Sequence, residues 1–386
     1  MNDFHLDLSD RTLIVNQISS PMVASATVEE CLAKATHPII DVRSPGEFEE
    51  GHLPGAVNVP LYNDEERKKI GTLYRHDGSE VATELGYSIA AEKFDSLVAK
   101  VRQVLTSGRF SEDSNGEFVV HCWRGGLRSR GVAWLCKRNG LLPLVMEGGY
   151  KAYRRHSHSC LSISSNIILL SGPTGVGKTR LLKTLAEHGE EVLDLEGLAC
   201  HRGSVFGGFP GVKQPTVEQF QNNLFGRWQC LDSTKPVWIE GESERIGRAV
   251  IPEPLFGQMR KAPMLYLNAE RSARVEFLLK DYGEFDVADL RLKAQRIKKR
   301  LGGQRLKEAL HAIDTANWEA FCELMIQYYD KYYERSLEKI SPELIERVDL
   351  RQPGEAHDIN RLIWIGHRLT DDARRQRDLP SNESVE

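Results

Sequence analysis

The stretch Gly172-Pro173-Thr174-Gly175-Val176-Gly177-Lys178-Thr179 limits the folds open to this chain more than any other. It fits the phosphate-loop pattern at every fixed position. Such a loop works only between a buried strand and the first turn of a helix, because its amides must converge on one anion. The flanks supply both: Ile167-Ile168-Leu169-Leu170 in front, and behind it the amphipathic Thr179-Arg180-Leu181-Leu182-Lys183-Thr184-Leu185, stopping near Gly189. With Gly172, Thr174, Gly175 and Gly177 shaping the turn, the amides of residues 174–179 are expected to cradle a diphosphate that Lys178 neutralises. Thr179 is placed to hold Mg²⁺ if a metal takes part. Two pairs of acids compete as partners of the loop, Asp194 with Glu196 and Glu240 with Glu242, each at the end of an expected strand. The sequence leaves that choice open. His201, Arg202 and Ser204 lie in a loop of basic, small and aromatic residues that either lines a ligand cleft or is ordinary surface.

A second strand–loop–helix unit lies upstream. Phe118-Val119-Val120-His121 runs into Cys122-Trp123-Arg124-Gly125-Gly126-Leu127-Arg128-Ser129. A cysteine at a strand end, before a glycine turn and a helix, meets inward-pointing amides, and Arg128 adds charge. These surroundings favour a thiolate over a thiol, and a thiolate is a nucleophile toward sulfur, selenium or phosphorus. Trp123, Arg124, Gly125 and Gly126 form the expected anion loop around Cys122, with Arg128 and Ser129 beside it. Cys31, Cys136, Cys160, Cys200, Cys230 and Cys322 lack such surroundings and are read as inert.

Two such units, with a buried strand at Pro38-Ile39-Ile40-Asp41-Val42-Arg43 and further strands expected at 191–195, 236–240 and 263–268, define an α/β fold with parallel sheets. From about residue 270 the pattern reads as mostly helical, and the tail after Thr370 as polar and frayed. The polar, basic run Lys151–Ser159 sets the expected boundary near 157–164, giving domains at 1–160 and 161–386.

With a net charge of −4, the chain as a whole is no general polyanion binder, so any nucleic-acid contact must be local. Arg291, Lys293, Arg296, Lys298, Lys299, Arg300, Arg305 and Lys307 supply a local basic stretch, several of them expected on one helical face. The tyrosines at 328, 329, 332 and 333 suit helix packing better than base stacking. Seven cysteines without a CxxC pair argue against a disulfide framework and a thiolate zinc site, and no metal site is assigned. No stretch approaches the roughly 20 apolar residues of a membrane span. With no secretory leader legible at the start, a cytoplasmic protein with no membrane contact is expected.

Residues 30–158 resemble the rhodanese family. The resemblance rests on Asp41-Val42-Arg43-Ser44-Pro45-Gly46-Glu47-Phe48, on Gly51-His52-Leu53-Pro54-Gly55-Ala56-Val57-Asn58, on the cysteine loop, and on Glu147-Gly148-Gly149-Tyr150-Lys151-Ala152-Tyr153. One departure is that Arg128 stands six residues after Cys122, where single-domain sulfurtransferases usually place it five after. That spacing is the one found in cysteine phosphatases. It implies a wider amide ring, sized for a tetrahedral phosphate-like anion.

Taken together with the second unit, residues 30–350 resemble the bacterial tRNA 2-selenouridine synthase family: a rhodanese-like domain followed by a P-loop domain with a helical extension. Beyond the two loops, Asp194-Leu195-Glu196-Gly197-Leu198-Ala199-Cys200-His201-Arg202-Gly203-Ser204 and Lys299-Arg300-Leu301-Gly302-Gly303-Gln304-Arg305 carry that likeness. It implies S-geranylation of wobble 2-thiouridine by geranyl diphosphate, then selenium transfer from selenophosphate. Cys122 would carry selenium as selanylcysteine, and the P-loop would hold diphosphate, with the use of ATP and Mg²⁺ left open. Arg296, Lys298, Lys299, Arg300 and Arg305 would meet the tRNA, whose anticodon bears the 2-thiouridine. The enzyme that makes selenophosphate is a candidate partner. An apolar cleft near Phe206 and Phe209 is a guess for the ten-carbon chain. Competing readings are a generic sulfurtransferase or a cysteine phosphatase fused to a P-loop kinase-like module, and a non-catalytic RNA-binding module with a regulatory rhodanese domain.

Overall fold

The computed structural model describes residues 23–34, 36–107, 116–201, 212–282, 287–338, 340–355, 357 and 359–378. The chain divides into two compact units, residues 1–160 and 161–386.

In the first unit, the strands are β1 (Ser25–Ala26), β2 (Ile39–Asp41), β3 (Val57–Asn58), β4 (Glu117–His121) and β5 (Leu142–Met146). They form one parallel sheet in the order β1-β5-β4-β2-β3. The helices are α1 (Val28–Ala33), α2 (Pro45–Glu50), α3 (Asp64–His76), α4 (Gly78–Ala91), α5 (Phe94–Leu105), α6 (Leu127–Arg138) and α7 (Gly149–Leu161). The central β4 is buried from Phe118 to His121, so its apolar run is continuous, as in a sheet covered on both faces. Between β3 and β4, three helices replace the dozen or so residues that a parallel crossover requires.

The rhodanese-like signature at 41–48 forms a strand end and a helix start. Ser44 caps α2, Pro45 occupies its first turn, and Glu47 returns to the Ser44 amide in a capping box. The run Lys151–Ser159, read from sequence as a polar stretch before the boundary, is helical within α7. Its period carries Tyr150, Tyr153 and Ser157 into the interior and leaves the basic residues outward.

The second unit is built on β6 (Ile167–Ser171), α8 (Lys178–Glu187), β7 (Glu191–Leu193), α9 (Leu195–Ala199), α10 (Val217–Trp228) and β8 (Val237–Glu240). A short antiparallel pair follows, β9 (Arg245–Ile246) and β10 (Ala249–Val250), then α11 (Glu253–Met259) and β11 (Met264–Asn268). Four helices come next: α12 (Arg271–Tyr282), α13 (Val287–Arg296), α14 (Lys298–Leu301) and α15 (Gly303–Asp314). The long α16 (Trp318–Leu337), β12 (Ile345–Asp349) and α17 (Ile359–Asp378) complete it.

The sheet is parallel, in the order β12-β11-β6-β8-β7. From about residue 270 the described chain is mostly helical, as expected, and β12 adds a strand that the pattern did not mark. Its Ile345-Glu346-Arg347-Val348-Asp349 is half polar because it lies at the sheet edge, where only Val348 is buried. The helices α12 to α16 pack around a core of their own, centred on Ile313, Phe321 and Met325.

Residues after Thr370, expected to fray, continue α17 to Asp378. That helix is anchored through Leu362, Ile365 and Gly366 against the sheet. A Cβ on Gly366 would strike the ring of the fully buried Trp238. Gly366→Ala is therefore expected to lower stability by about 1–3 kcal/mol, measured by urea unfolding of the full chain.

Candidate functional site

Cys122 follows β4 directly and is 3% exposed. Its Sγ lies 3.3 Å from Ser129 Oγ, and that hydroxyl is 3.2 Å from the Gly126 carbonyl it donates to. The loop is held from behind by the 147–151 motif. The Tyr150 amide donates to the Cys122 carbonyl and the Lys151 amide to that of Trp123, both at 2.9 Å. Gly149 has φ +55°, and a Cβ there would overlap the Cys122 carbonyl and the Gly125 amide. Gly125, at φ +65°, would likewise meet the Met146 carbonyl at 2.7 Å. Side chains are excluded because two backbone turns touch, which is the reason both motifs carry glycine.

Tyr150 is itself fixed from below. Arg43 stacks its guanidinium 3.9 Å from the ring centroid. Arg43 in turn donates to Asp41 at 2.6 and 2.9 Å and to the Gly51 carbonyl at 2.6 Å, all buried. Burial opposes charge on Asp41, but His121 and Arg43 hold its carboxyl below the usual range. His121 is held down as well, by burial above all, so it is neutral at pH 7.

Arg128, which sequence alone gave to the thiolate, has a carboxylate partner: its Nη1 donates to Glu47 Oε2 at 2.8 Å. Burial works against ionising Glu47, yet the Arg128 hydrogen bond and charge keep it below the ordinary carboxylate range. One glutamate thus caps α2 and orients Arg128. Trp123 packs 5.7 Å from Tyr150, while Arg124 points to solvent.

In the second unit, the phosphate loop bridges β6 and α8. Gly175 and Gly177 take φ values of +84° and +83°, and a Cβ on Gly177 would strike the backbone of Gly354. Lys178 Nζ donates to the Gly172 carbonyl at 3.0 Å and lies 5.3 Å from the ring centroid of Tyr333 on α16. Thr179 Oγ1 donates to Glu196 Oε2 at 3.0 Å.

The four candidate acids separate into distinct tasks. Asp194 caps α9 by accepting from the Gly197 amide at 2.6 Å. Glu240, on the strand beside β6, accepts from the Leu195 and Glu196 amides at 2.7 and 3.2 Å, and so places Glu196. Glu196 and Glu242 share the ground beside Lys178. Burial, then the Glu242 charge, pushes the Glu196 carboxyl up to about 7. Burial raises Glu240 and Glu242 as well. Burial also opposes charge on Lys178, but Tyr333 and these acids outweigh it and keep the amine protonated. Thr179 and Glu196 are the pair that fits Mg²⁺; no cluster of three or more His, Cys, Asp or Glu able to hold a metal alone occurs among the described residues.

His201 sits at the end of α9, where its amide donates to the Glu196 carbonyl at 3.0 Å, and burial, then the Lys293 charge, lowers its imidazole's pKa. Arg202, Ser204, Phe206 and Phe209 lie outside the described residues.

The basic stretch does not form one helical face. Turns at Ile297 and Gly302 break it into α13, α14 and α15. Lys293 pairs with Asp289 and Arg291 with Asp314. Arg296, Lys298, Lys299 and Arg300 remain exposed, Arg305 is half-buried, and none of these five has an ion pair among the described residues. Tyr328 packs in the helical core and meets Tyr329 edge-on, as helix packing requires.

Tyr333 is the site residue that sequence reasoning missed. Its i, i+4 spacing from Tyr329 suggests packing, and only the fold brings α16 over Lys178.

Fold and loops define a rhodanese-like domain with a guarded cysteine, joined to a phosphate-loop α/β domain. The family model for the rhodanese-like domain matches residues 25–156. That for the tRNA 2-selenouridine synthase AAA domain matches residues 165–355. A tRNA 2-selenouridine synthase of Bdellovibrio bacteriovorus is 34% identical over 78% of this chain and 89% of its own. One from Marinobacter nauticus is 34% identical over 80% and 91%, and one from Shewanella pealeana 35% over 81% and 92%. This chain belongs to the tRNA 2-selenouridine synthase family. No helix among the described residues is long and apolar enough to cross a membrane.

Two outcomes follow from this geometry. Gly149→Ala is expected to distort the cysteine loop and cost about 2 kcal/mol or more, because strain at positive φ adds to backbone overlap; Gly126→Ala, with open space at its Cβ, serves as the control in the same thermal melts. A raised carboxyl such as Glu196 contributes stability at low pH that is lost as pH rises from the ordinary carboxylate range through about 7. The melting temperature of the ligand-free wild type should therefore fall over that window relative to Glu196→Gln, and parallel curves would contradict the assignment.

Proposed function

We propose that this chain replaces the sulfur of wobble 2-thiouridine in tRNA with selenium in two stages. The observation that carries the reading is the coexistence, in one member of this family, of a shielded Cys122 loop and a complete phosphate loop with Lys178 set among acids. A sulfurtransferase needs only the first of these.

In the first stage the thiouridine sulfur attacks C1 of geranyl diphosphate, the C1–O bond breaks, its electron pair leaves with diphosphate, and the uridine N3 proton passes to solvent. Lys178 and the loop amides stabilise that growing charge, a task that requires no nucleotide hydrolysis. Mg²⁺, when bound, neutralises the same anion, and Thr179 and Glu196 would hold it. In the second stage the Cys122 thiolate takes selenium from selenophosphate, the S–Se bond forming as the Se–P bond breaks and phosphite leaves. The terminal selenide attacks C2, the C2–S bond breaks and the geranyl thiolate departs. A thiol reductant then cleaves the Se–S bond, releasing 2-selenouridine and the Cys122 thiol. Ser129 and the amides after Cys122 steady the anion during loading. Arg296, Lys298, Lys299, Arg300 and Arg305 meet tRNA phosphates, and replacing any exposed one weakens binding and its salt dependence modestly.

The test is mass spectrometry of nucleosides from thiolated tRNA incubated with enzyme, geranyl diphosphate and selenophosphate, each omitted in turn. Lys178→Ala should slow S-geranylation by about 100-fold or more, since it removes charge stabilisation of the leaving group. Cys122→Ala should accumulate the S-geranyl nucleoside without 2-selenouridine. Selenation that proceeds unchanged without geranyl diphosphate would sink the two-stage scheme.

A further inference from the structure

The three helices inserted between β3 and β4 do more than connect strands. Together with α6 they wall an open cavity of about 670 Å³, within the range of small-molecule sites. Its walls are largely apolar, with Leu61, Ile70, Tyr87, Phe94, Leu97 and Trp134 among them. Cys122 and Trp123 form one side. Tyr74 and Leu127, also lining it, are 61% and 47% exposed, an unusual setting for large apolar groups on two neighbouring helices. Arg67, Arg75 and Arg124 contribute to the same lining, and Arg124 is exposed with no partner among the described residues.

We propose that this cavity seats the ten-carbon S-geranyl chain of the modified uridine during selenium transfer, an inference that rests on the two-stage reading above. The reason is geometric. Selenium on Cys122 must come within about 3–3.5 Å of the uridine C2 that it attacks. The departing sulfur is bonded to that same carbon, so the first carbons of its chain lie within a few bond lengths of Cys122. The space beside Cys122 is this apolar cavity. A chain placed there leaves water, and each CH₂ it buries favours binding, while a mouth carrying Arg124 suits the flanking phosphates. The cavity therefore acts as a gauge: it holds the alkylated base with its C2 against Cys122 and gives an unalkylated base no such grip.

The experiment compares tRNAs bearing S-methyl, S-prenyl and S-geranyl 2-thiouridine as substrates for selenation by the full chain. Wild type should favour geranyl over methyl by about tenfold or more in kcat/KM, as expected for buried methylenes. Thr83 lines the cavity from α4 and is half-exposed, so Thr83→Trp fills space without rebuilding the core. That variant, and Ala90→Phe beside it, should shrink the preference to about threefold or less. If wild type prefers geranyl and both folded variants keep the preference, the cavity proposal fails while the two-stage reading stands. If wild type selenates unalkylated 2-thiouridine as fast as the geranylated form, the two-stage reading fails. A variant-free measurement then decides the site: an S-geranyl tRNA with a diazirine at the distal end of the chain should crosslink within residues 61–97 and 122–135 of the wild-type chain. Labelling confined to residues 165–355 overturns the proposal.

Discussion

The buried ion pair between Asp41 and Arg43 is the constraint on which the cysteine site depends. Both side chains are out of water, so their pairing must offset a desolvation cost of several kcal/mol per ion. It does so because Arg43 bonds Asp41 through both Nε and Nη2, gives a further bond to the Gly51 carbonyl, and lays its flat face on Tyr150. Tyr150 then grips Cys122 through its amide. The line from charge pair to Cys122 runs through four residues. Lysine could not replace Arg43, since it has neither the fork nor the face.

The phosphate loop is organised by the opposite imbalance. Too many carboxylates crowd one amine. Glu196, Glu240 and Glu242 are all pushed toward the protonated form by burial, and Lys178 is the cation that makes the cluster tolerable. A phosphate anion entering the loop competes with those acids for the same charge. Lys178 donates to the Gly172 carbonyl and lies under the Tyr333 ring, so its charge is shared among the loop, the ring and the acids. In this arrangement Glu240 acts through backbone amides, and Glu196 is the acid that touches Thr179.

How much of the site could be read in advance depended on how local its physics is. The two loops were legible because each is a short continuous stretch whose glycines, charge and flanking periodicity all report one geometry. The division of labour among the four acids was not legible. Asp194 and Glu196 are two residues apart, and nothing in their spacing says that one caps a helix while the other reaches Thr179. The basic stretch misled for a related reason: Gly302 at φ +87° breaks the helix, and two of its cations are spent on Asp289 and Asp314. Tyr333, 155 positions from Lys178, read as a helix-packing residue, and nothing in its spacing tied it to the phosphate loop.

The sequence by itself determined the parallel α/β class, the two strand–loop–helix units, the identities of Cys122 and Lys178, and the family likeness that frames them. These follow from patterns a few residues long, in which backbone sterics and hydrogen bonding leave little choice. Tertiary structure alone decided what surrounds the two residues: the Gly149 turn behind Cys122, Glu47 on Arg128, Tyr333 over Lys178, and the apolar cavity walled by α3 to α6. Each of these is a meeting of segments tens to hundreds of residues apart. Such meetings are fixed by how whole helices and strands bury their apolar faces, an outcome no local pattern records.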